Sequence, residues 1–404
     1  MENIKGGDKM ISKEIHENLK NASWIRRMFV EGGKLREQFG DENVYDYSLG
    51  NPYFEPPKSV MEKLKEVVNS DALGTHRYMD NAGFKDVRQK VANAINRDII
   101  NPIGFEHILM TVGAAGGINV VLRTILDAGD EVIIFAPYFA EYIFYIKNHN
   151  GVPVILMTDE KDFQPNLEAF EKGITAKTRA IIINSPNNPT GVIYSEETLK
   201  GLNAIVEKKE KEFGRPIYTI SDEPYKALVY DNVYVPNSHN YFKHSIMVNS
   251  YSKSLGLAGE RIGYIALNST FEDVDLFMGA LAFANRTLGF VNAPALWQKV
   301  IADSLEESVD ISQYQIRRDA LYSKLTQLGF EMVQPQGAFY LFPKALEADD
   351  VNFVMEAKKF NILLVPGSGF GYPGYFRISY CVDMNMIERS FPAFEKLVEH
   401  YKNK

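Results

Sequence analysis

Two residues with distinct chemical uses follow predicted buried strands. Asp222 comes directly after the apolar run Ile217–Ser221, and Lys253 lies shortly beyond the run Ser245–Asn249. A charged group at the end of a buried strand costs free energy unless it meets an opposite charge or acts chemically. A desolvated lysine can lose its proton and become a nucleophilic amine. Taken singly, Asp222 is explained better as a helix cap and Lys253 as a solvated surface group.

Two further strand ends lead into segments with unusual backbone requirements. The run Ile108–Val112 is followed by the small residues 113–117, where backbone N–H groups and the dipole of the next helix favour an anion. A plain tight connection into a helix would use the same small residues. The run Ala180–Asn184 leads into residues 185–191, whose two prolines and one glycine hold the side chain of Asn188 rigidly. An ordinary helix-entry turn is the alternative.

These strand ends together form a chemical set. They supply an anion cradle, an amide donor, an acid, the phenol of Tyr225, an amine and the guanidinium of Arg261. The set fits a phosphorylated aromatic aldehyde that is bound covalently to a lysine. Pyridoxal phosphate has the matching groups: a phosphate, a phenolic oxygen, a ring nitrogen that should stay protonated, and an aldehyde.

Near the C-terminus a cation stands in an apolar and aromatic segment. Arg377 lies within the predicted strand Tyr375–Tyr380. A buried guanidinium needs a carboxylate, and its planar fork matches one bidentately. Arg377 is therefore a candidate for binding a substrate carboxylate.

One large α/β domain, predicted over residues 56–293, would position the strand-end residues. Its apolar runs lack polar alternation and alternate with helical patterns, as strands buried on both faces of a mostly parallel sheet do. Ligands bind beyond the carboxyl ends of such strands. The predicted strands are Ile108–Val112, Glu131–Phe135, Ala180–Asn184, Ile217–Ser221, Ser245–Asn249 and Ile262–Leu267.

The two ends of the chain are predicted to build a smaller α+β domain. Residues 1–55 would form an N-terminal arm and part of this domain, with a helix from Ser23 to Phe39, and residues 294–404 would form the rest. The clearest C-terminal helix is Arg317–Leu328. The predicted strands of this domain are Ala338–Phe342, Ile362–Val365 and Tyr375–Tyr380.

Composition narrows the possible partners and location. The chain has 404 residues, 44 Lys and Arg against 52 Asp and Glu, and a net charge of −8. This length favours two domains, and the charge argues against a nucleic-acid or anionic-membrane surface. Its one cysteine, Cys381, excludes an intrachain disulfide framework and suits a reducing cytosol. We expect a cytoplasmic protein with no signal peptide, no membrane span and no metal site.

Three motifs carry a family resemblance over about residues 23–380. They are residues 187–191 (Asn-Asn-Pro-Thr-Gly), 221–225 (Ser-Asp-Glu-Pro-Tyr) and 250–254 (Ser-Tyr-Ser-Lys-Ser), the last continuing to Gly263. The spacings are 34 residues from Asn188 to Asp222 and 31 from Asp222 to Lys253. In order and spacing the chain resembles a fold-type I pyridoxal-phosphate enzyme of the class I/II aminotransferase family. The resemblance implies a seven-stranded-type, mostly parallel sheet between helices.

The resemblance also implies residue roles. Lys253 would form the internal aldimine and carry a proton between substrate Cα and the cofactor. Asp222 would pair with the ring nitrogen, and Asn188 and Tyr225 would bind the phenolic oxygen. The implied catalytic residues are Lys253, Asp222 and Tyr225. The implied cofactor residues are Tyr78, Gly113, Ala114, Ala115, Phe139, Asn188, Asp222, Tyr225, Ser250, Ser252, Lys253 and Arg261, and the implied substrate residues are Gly50, Asn188 and Arg377.

Two of the implied cofactor residues have structural alternatives. Phe139 would stack on the cofactor ring, but a core aromatic also fits its place after a strand. Tyr78 would reach the phosphate of the neighbouring subunit, which implies a homodimer with shared sites, but a rim aromatic fits as well. Gly50 would belong to a loop that closes over substrate.

The resemblance implies an aminotransferase of amino-acid metabolism with a ping-pong cycle. The donor would be aspartate or an aromatic or aliphatic L-amino acid, and the acceptor a 2-oxo acid such as 2-oxoglutarate. A β-eliminating lyase of the same fold is the alternative, and a non-enzymatic regulator is disfavoured because no DNA-binding module precedes Ser23. In some aspartate aminotransferases an arginine lent by the neighbouring subunit binds the side-chain carboxylate, and its position corresponds to Thr287, with Arg286 one place away. A structural role for Arg286 near the subunit interface is the alternative. Contact of Arg286 with substrate would need extended or irregular backbone there.

Overall fold

The computed structural model describes residues 10–20, 24–70 and 73–403. The helices are α1 (Lys13–Lys20), α2 (Trp24–Phe39), α3 (Lys58–Asn69), α4 (Lys85–Ile95), α5 (Gly113–Ile125), α6 (Tyr142–Asn148), α7 (Leu167–Gly173), α8 (Glu196–Phe213), α9 (Tyr251–Ser254), α10 (Val274–Thr287), α11 (Ala295–Ala302), α12 (Ile311–Gln327), α13 (Asp350–Lys358) and α14 (Met384–Lys402). Within those ranges, no helix has both the length and the apolar character that crossing a membrane requires.

The strands form one large sheet and two small ones. They are β1 (Tyr45–Asp46), β2 (Ile108–Thr111), β3 (Glu131–Ala136), β4 (Val152–Met157), β5 (Thr178–Asn184), β6 (Tyr218–Asp222), β7 (Ser245–Ser250), β8 (Gly263–Leu267), β9 (Tyr340–Leu341), β10 (Ile362–Leu363), β11 (Val365–Pro366) and β12 (Phe376–Ser379).

The large sheet has seven strands in the order β2-β8-β7-β6-β5-β3-β4. Only β8 is reversed: it runs antiparallel to both neighbours, while β3 to β7 pair in parallel. Gly263, the first residue of β8, pairs with Thr111 on one side and Ser250 on the other. The carboxyl ends of β2, β5, β6 and β7 therefore share one edge with the start of β8. The predicted α/β fold with a mostly parallel seven-stranded sheet is confirmed.

The six predicted strands of this sheet all form, with ends displaced by up to two residues. Their consecutive apolar residues are buried, as in β3, where Val132–Ala136 are all buried. Sequence analysis did not locate β4. This strand contains Pro153, lies at the sheet edge and is only partly covered. Proline is tolerated at an edge because one side of the ladder needs no partner, and its presence disguised the strand.

The smaller region joins both ends of the chain. Met28 and Leu35 of α2 pack in one apolar cluster with Phe394 and Leu397 of α14. Strand β1 pairs with β10, and β11-β12-β9 form the other small sheet. The predicted strand Ile362–Val365 is divided between these two sheets. The predicted helix start at Ser23 lies outside the described residues.

The position of α11 bears on the proposed domain limits. Val300 and Ile301 of α11 pack in one apolar cluster with Val60 of α3 and Val91 of α4, beside the large sheet. Helix α12 instead contributes Leu321 and Leu325 to the cluster that joins the chain ends. These contacts favour a second boundary between α11 and α12, and the domain limits stay a proposal.

Candidate active site

A cavity of about 260 Å³ lies at the carboxyl edge of the large sheet. It brings together residues that follow β2, β3, β5, β6 and β7 with Gly50 near the N-terminus and with Tyr340 and Arg377 of the smaller region. Of the residues predicted to act, it is lined by Gly50, Ala114, Ala115, Phe139, Asn188, Asp222, Tyr225, Ser250, Ser252, Lys253, Arg261 and Arg377. Gly113 lies against Arg261 just behind the lining, whereas Tyr78 lies outside the cavity and is 91% exposed.

Lys253 is placed in the cavity by the single turn α9, which follows β7 directly. Its Nζ donates to the Gly50 carbonyl oxygen at 3.0 Å and lies 5.3 Å from the centre of the Phe339 ring. Burial of the amine lowers the pKa of Lys253 to about 8, assisted by Arg377 and Arg261 and opposed by Cys381. A larger fraction of this amine is therefore neutral near pH 7 than of an exposed lysine.

Asp222, the last residue of β6, presents one engaged and one unengaged oxygen. Its Oδ2 accepts a hydrogen bond from Tyr142 Oη at 2.5 Å. Its Oδ1 is buried and has no hydrogen-bond partner within the described chain. Burial raises the pKa of Asp222 to about 7, against the lowering effect of the Tyr142 hydrogen bond. An unpaired buried oxygen is costly, so a bound donor, above all a cationic one, would stabilise this site.

The predicted anion cradle lies at the N-terminus of α5. Gly113 has φ of +69°, and a Cβ there would lie 2.7 Å from Arg261 Nη2. Arg261 is held by the Ala258 carbonyl oxygen at 2.8 Å and by Ser252 Oγ at 3.4 Å. Helix N–H groups and a guanidinium thus approach the same end of the cavity, which suits a phosphate.

Arg377, on β12, is 1% exposed, and among the described residues its guanidinium bonds no carboxylate. Its Nη1 donates to Asn188 Oδ1 at 3.1 Å and its Nη2 to the Ser48 carbonyl oxygen at 2.7 Å. Its Nε is unpartnered within the described chain. Burial lowers the pKa of Arg377. A guanidinium held this way is available for a carboxylate.

Sequence analysis missed several residues of the cavity. Asn184 ends β5, so the strand-end rule alone could have found it. Tyr145 lines the cavity, and Tyr142, one turn earlier on α6, bonds Asp222. Nothing in their spacing distinguished either tyrosine from a core aromatic. The missed lining residues are Ile118, Tyr145, Asn184, Pro224, Ala258 and Tyr340.

The backbone condition for substrate contact by Arg286 is not met within this chain. Helix α10 continues through Thr287. Arg286 is exposed, and its guanidinium lies 5.4 Å from the centre of the Phe283 ring. The regular helix thus leaves Arg286 on an outer surface.

Comparison with known proteins gives consistent matches over nearly the whole chain. A profile of the family "Aminotransferase class I and II" matches residues 42–393. The crystal structure of an amino transferase from Eubacterium rectale is 42% identical, with a TM-score of 0.94, and the alignment covers 98% of this chain and 100% of that one. The aspartate aminotransferase of Thermotoga maritima is 33% identical over 362 residues, which are 88% of this chain and 91% of that protein. The aromatic-amino-acid aminotransferase 2 of Thermococcus litoralis is 30% identical, over 95% of this chain and 97% of that protein.

The seven-stranded sheet with a lysine and an aspartate at its carboxyl edge defines the general class, the fold-type I enzymes that the sequence indicated. The chain belongs to the aminotransferase class I and II family. The prediction of a transaminase is thereby confirmed, and the lyase alternative is not favoured.

Proposed function

We propose that this aminotransferase uses pyridoxal phosphate, held covalently on Lys253, to move an amino group between an L-amino acid and a 2-oxo acid such as 2-oxoglutarate. The observation that carries the proposal is that Lys253 and the unpaired oxygen of Asp222 belong to one cavity whose other end is an anion cradle. The reaction runs in two half-reactions, in which the donor leaves as an oxo acid before the acceptor binds.

The residues present fit this cofactor group by group. Within the described chain Asp222 Oδ1 has no donor, and the protonated ring nitrogen would provide one. The N-terminus of α5, with Arg261, suits the phosphate. The side chains of Asn188 and Tyr225 suit the phenolic oxygen. Bound there, pyridoxal phosphate supplies an electron sink for the charge that develops when a substrate loses its α-proton.

The chain's own groups position the substrate and move the proton. Arg377, steadied by Asn188, binds the α-carboxylate bidentately. Lys253 Nζ takes the proton from substrate Cα and later returns one. Burial supports this role, because a lysine pKa of about 8 is close to neutral pH, where a proton acceptor works best.

The side chain of the donor amino acid would meet few charged groups of this protein chain. Among the described residues, the cations that line the cavity are Lys253, Arg261 and Arg377, and each has a role already. A second carboxylate would therefore depend on a cation lent by the neighbouring chain, and without one its burial is costly. We propose that aromatic and aliphatic amino acids compete well with aspartate. Relatives named for aspartate and for aromatic amino acids agree with this breadth.

We further propose a cytoplasmic homodimer. Tyr78 is 91% exposed, as expected for a side chain that completes a partner's site. The one cysteine, Cys381, is free and buried, which accords with a reducing compartment.

The proposal is tested by mixing the pyridoxal-phosphate-loaded protein with single amino acids and following the cofactor absorbance. We expect conversion to the amine form without added oxo acid, its reversal by 2-oxoglutarate, and an aspartate to phenylalanine ratio of kcat/KM below about a thousandfold that Arg286→Ala leaves unchanged. Lys253→Ala is the control that should abolish conversion. Release of pyruvate and ammonia from an amino acid alone would instead identify a lyase, and a larger aspartate preference lost in Arg286→Ala would assign Arg286 to the substrate side chain.

A further inference from the structure

A second tyrosine contacts the proposed catalytic tyrosine. Tyr340, on β9, also lines the cavity, and its Oη lies 2.8 Å from Tyr225 Oη. Tyr340 is 1% exposed, and within the described chain Tyr225 is the only hydrogen-bond partner of its hydroxyl. The pair is therefore an isolated hydrogen bond between two buried phenols.

Two neighbours restrict the position of the Tyr340 ring. The guanidinium of Arg377 lies 4.7 Å from the ring centre. The backbone of Gly50 is so near the hydroxyl end of the ring that an added Cβ at Gly50 would lie 2.3 Å from Tyr340 Oη. These contacts hold the hydroxyl against Tyr225, and no other described residue accepts a hydrogen bond from it.

The number of protons decides the direction of the hydrogen bond. Each hydroxyl has one proton to donate and lone pairs to accept. Burial raises the pKa of Tyr340 to about 12, with Arg377 opposing, so its hydroxyl is protonated at neutral pH. If Tyr225 donates its one proton to a bound acceptor, only Tyr340 can donate within the pair.

We propose that Tyr340 is a positioning residue that donates to Tyr225 Oη and so directs the Tyr225 proton to the cofactor's phenolic oxygen. This inference rests on the proposed function. Hydrogen bonds in series polarise one another in a dry site, so Tyr225 becomes the stronger donor when Tyr340 donates to it. Tyr340 thereby acts on the cofactor without contacting it.

The test is Tyr340→Phe, which keeps the ring beside Arg377 and Gly50 but removes the hydroxyl. In the holoenzyme, the midpoint pH of the cofactor's visible absorbance change should rise by about 0.5 to 1 unit. Tyr225 would then donate more weakly to the phenolic oxygen, so this oxygen would bind the proton that it shares with the Lys253 nitrogen more strongly. We expect kcat to fall about three- to tenfold and KM to change by less than about twofold, since Arg377 keeps its packing.

Two controls separate this role from general loss of a buried hydroxyl. Tyr47→Phe removes a buried hydroxyl that bonds Ser390 at 2.7 Å, away from the cavity, and should leave the midpoint unchanged. In the Tyr225→Phe background, Tyr340→Phe should add no further shift. An unchanged midpoint in Tyr340→Phe, an equal shift in both backgrounds, or a large rise in KM alone would overturn the proposal. Failure of the wild-type protein to bind pyridoxal phosphate would instead refute the proposed function.

Discussion

At the scale of single residues, the burial of Asp222 disfavours the charged carboxylate that its proposed role requires. One of its oxygens is engaged by Tyr142 and the other is unpaired within the described chain. Burial raises the pKa of this carboxyl to about 7 from an ordinary value of 3.8. The site is thus unfavourable for the charged form until a cation arrives, and binding a protonated ring nitrogen would remove the penalty.

This conflict predicts a pH dependence of stability in the cofactor-free protein. Between pH 4 and 7 the folded state holds the Asp222 proton while the unfolded chain has released it, so stability falls as the pH rises. The loss attributable to Asp222 is up to about 4 kcal/mol. In urea titrations at several pH values, Asp222→Asn should lack this component, and saturating cofactor should remove it from the wild type. Parallel pH dependences in the two proteins without cofactor would contradict it.

At the scale of elements, the anion cradle depends on how closely α5 and β8 approach. Gly113 combines a positive φ of +69° with a close approach to Arg261. Gly263 lies against backbone, since a Cβ there would lie 2.4 Å from the Asn249 carbonyl oxygen. Both glycines therefore allow strand, helix and guanidinium to meet around one small volume.

Gly113→Ala should weaken cofactor binding as well as stability. The added methyl displaces Arg261, and we expect the dissociation constant for pyridoxal phosphate to rise at least about tenfold, with about 1–2 kcal/mol of backbone strain. Gly129→Ala is the matched control, because Gly129 also has a positive φ of +89° but no atom within 4 Å of the added Cβ. Its melting temperature should fall while its cofactor affinity stays normal. Equal losses of cofactor affinity in the two variants would show that displacement of Arg261 is not the cause.

At the scale of the whole molecule, the question is whether the exposed Tyr78 of one chain completes the active site of a second chain. Within one chain Tyr78 contributes nothing to the cavity. If each site of a homodimer borrows Tyr78 from the other chain, the two residues Tyr78 and Lys253 of one functional site come from different chains. A symmetric dimer then contains two such composite sites.

Mixed dimers test this arrangement. Dimers that pair Lys253→Ala with Tyr78→Ala contain one site with an intact lysine and an intact borrowed tyrosine. Mixing the two weak variants under exchange conditions should therefore raise activity to about a quarter of the wild-type value, from random pairing. Each variant mixed with itself is the control. No gain, despite demonstrated exchange of labelled chains, would mean that Tyr78 does not serve a partner's site.

How much could be predicted from the sequence differs between these scales. The buried strands were predictable because consecutive apolar residues satisfy both faces of a parallel sheet, and the strand-end rule then located Asp222 and Lys253. The edge strand β4 was not, because Pro153 and its partial exposure removed that pattern. Tyr340 was not found either. It meets Tyr225 across 115 residues, and local spacing does not encode so distant a contact.

The reversal of β8 has a consequence for ligand size. This strand starts at the edge where its neighbours end, so Arg261, which comes just before it, also lies at that edge. In the chain Arg261 is only eight residues after Lys253, which follows the end of β7. The group that would hold an aldehyde and the group that would hold a phosphate are thus neighbours in one short segment. The geometry of that segment, together with the N-terminus of α5, therefore sets the span between the two attachments. An insertion of one residue between Lys253 and Arg261 would therefore change the length of molecule that the site accepts.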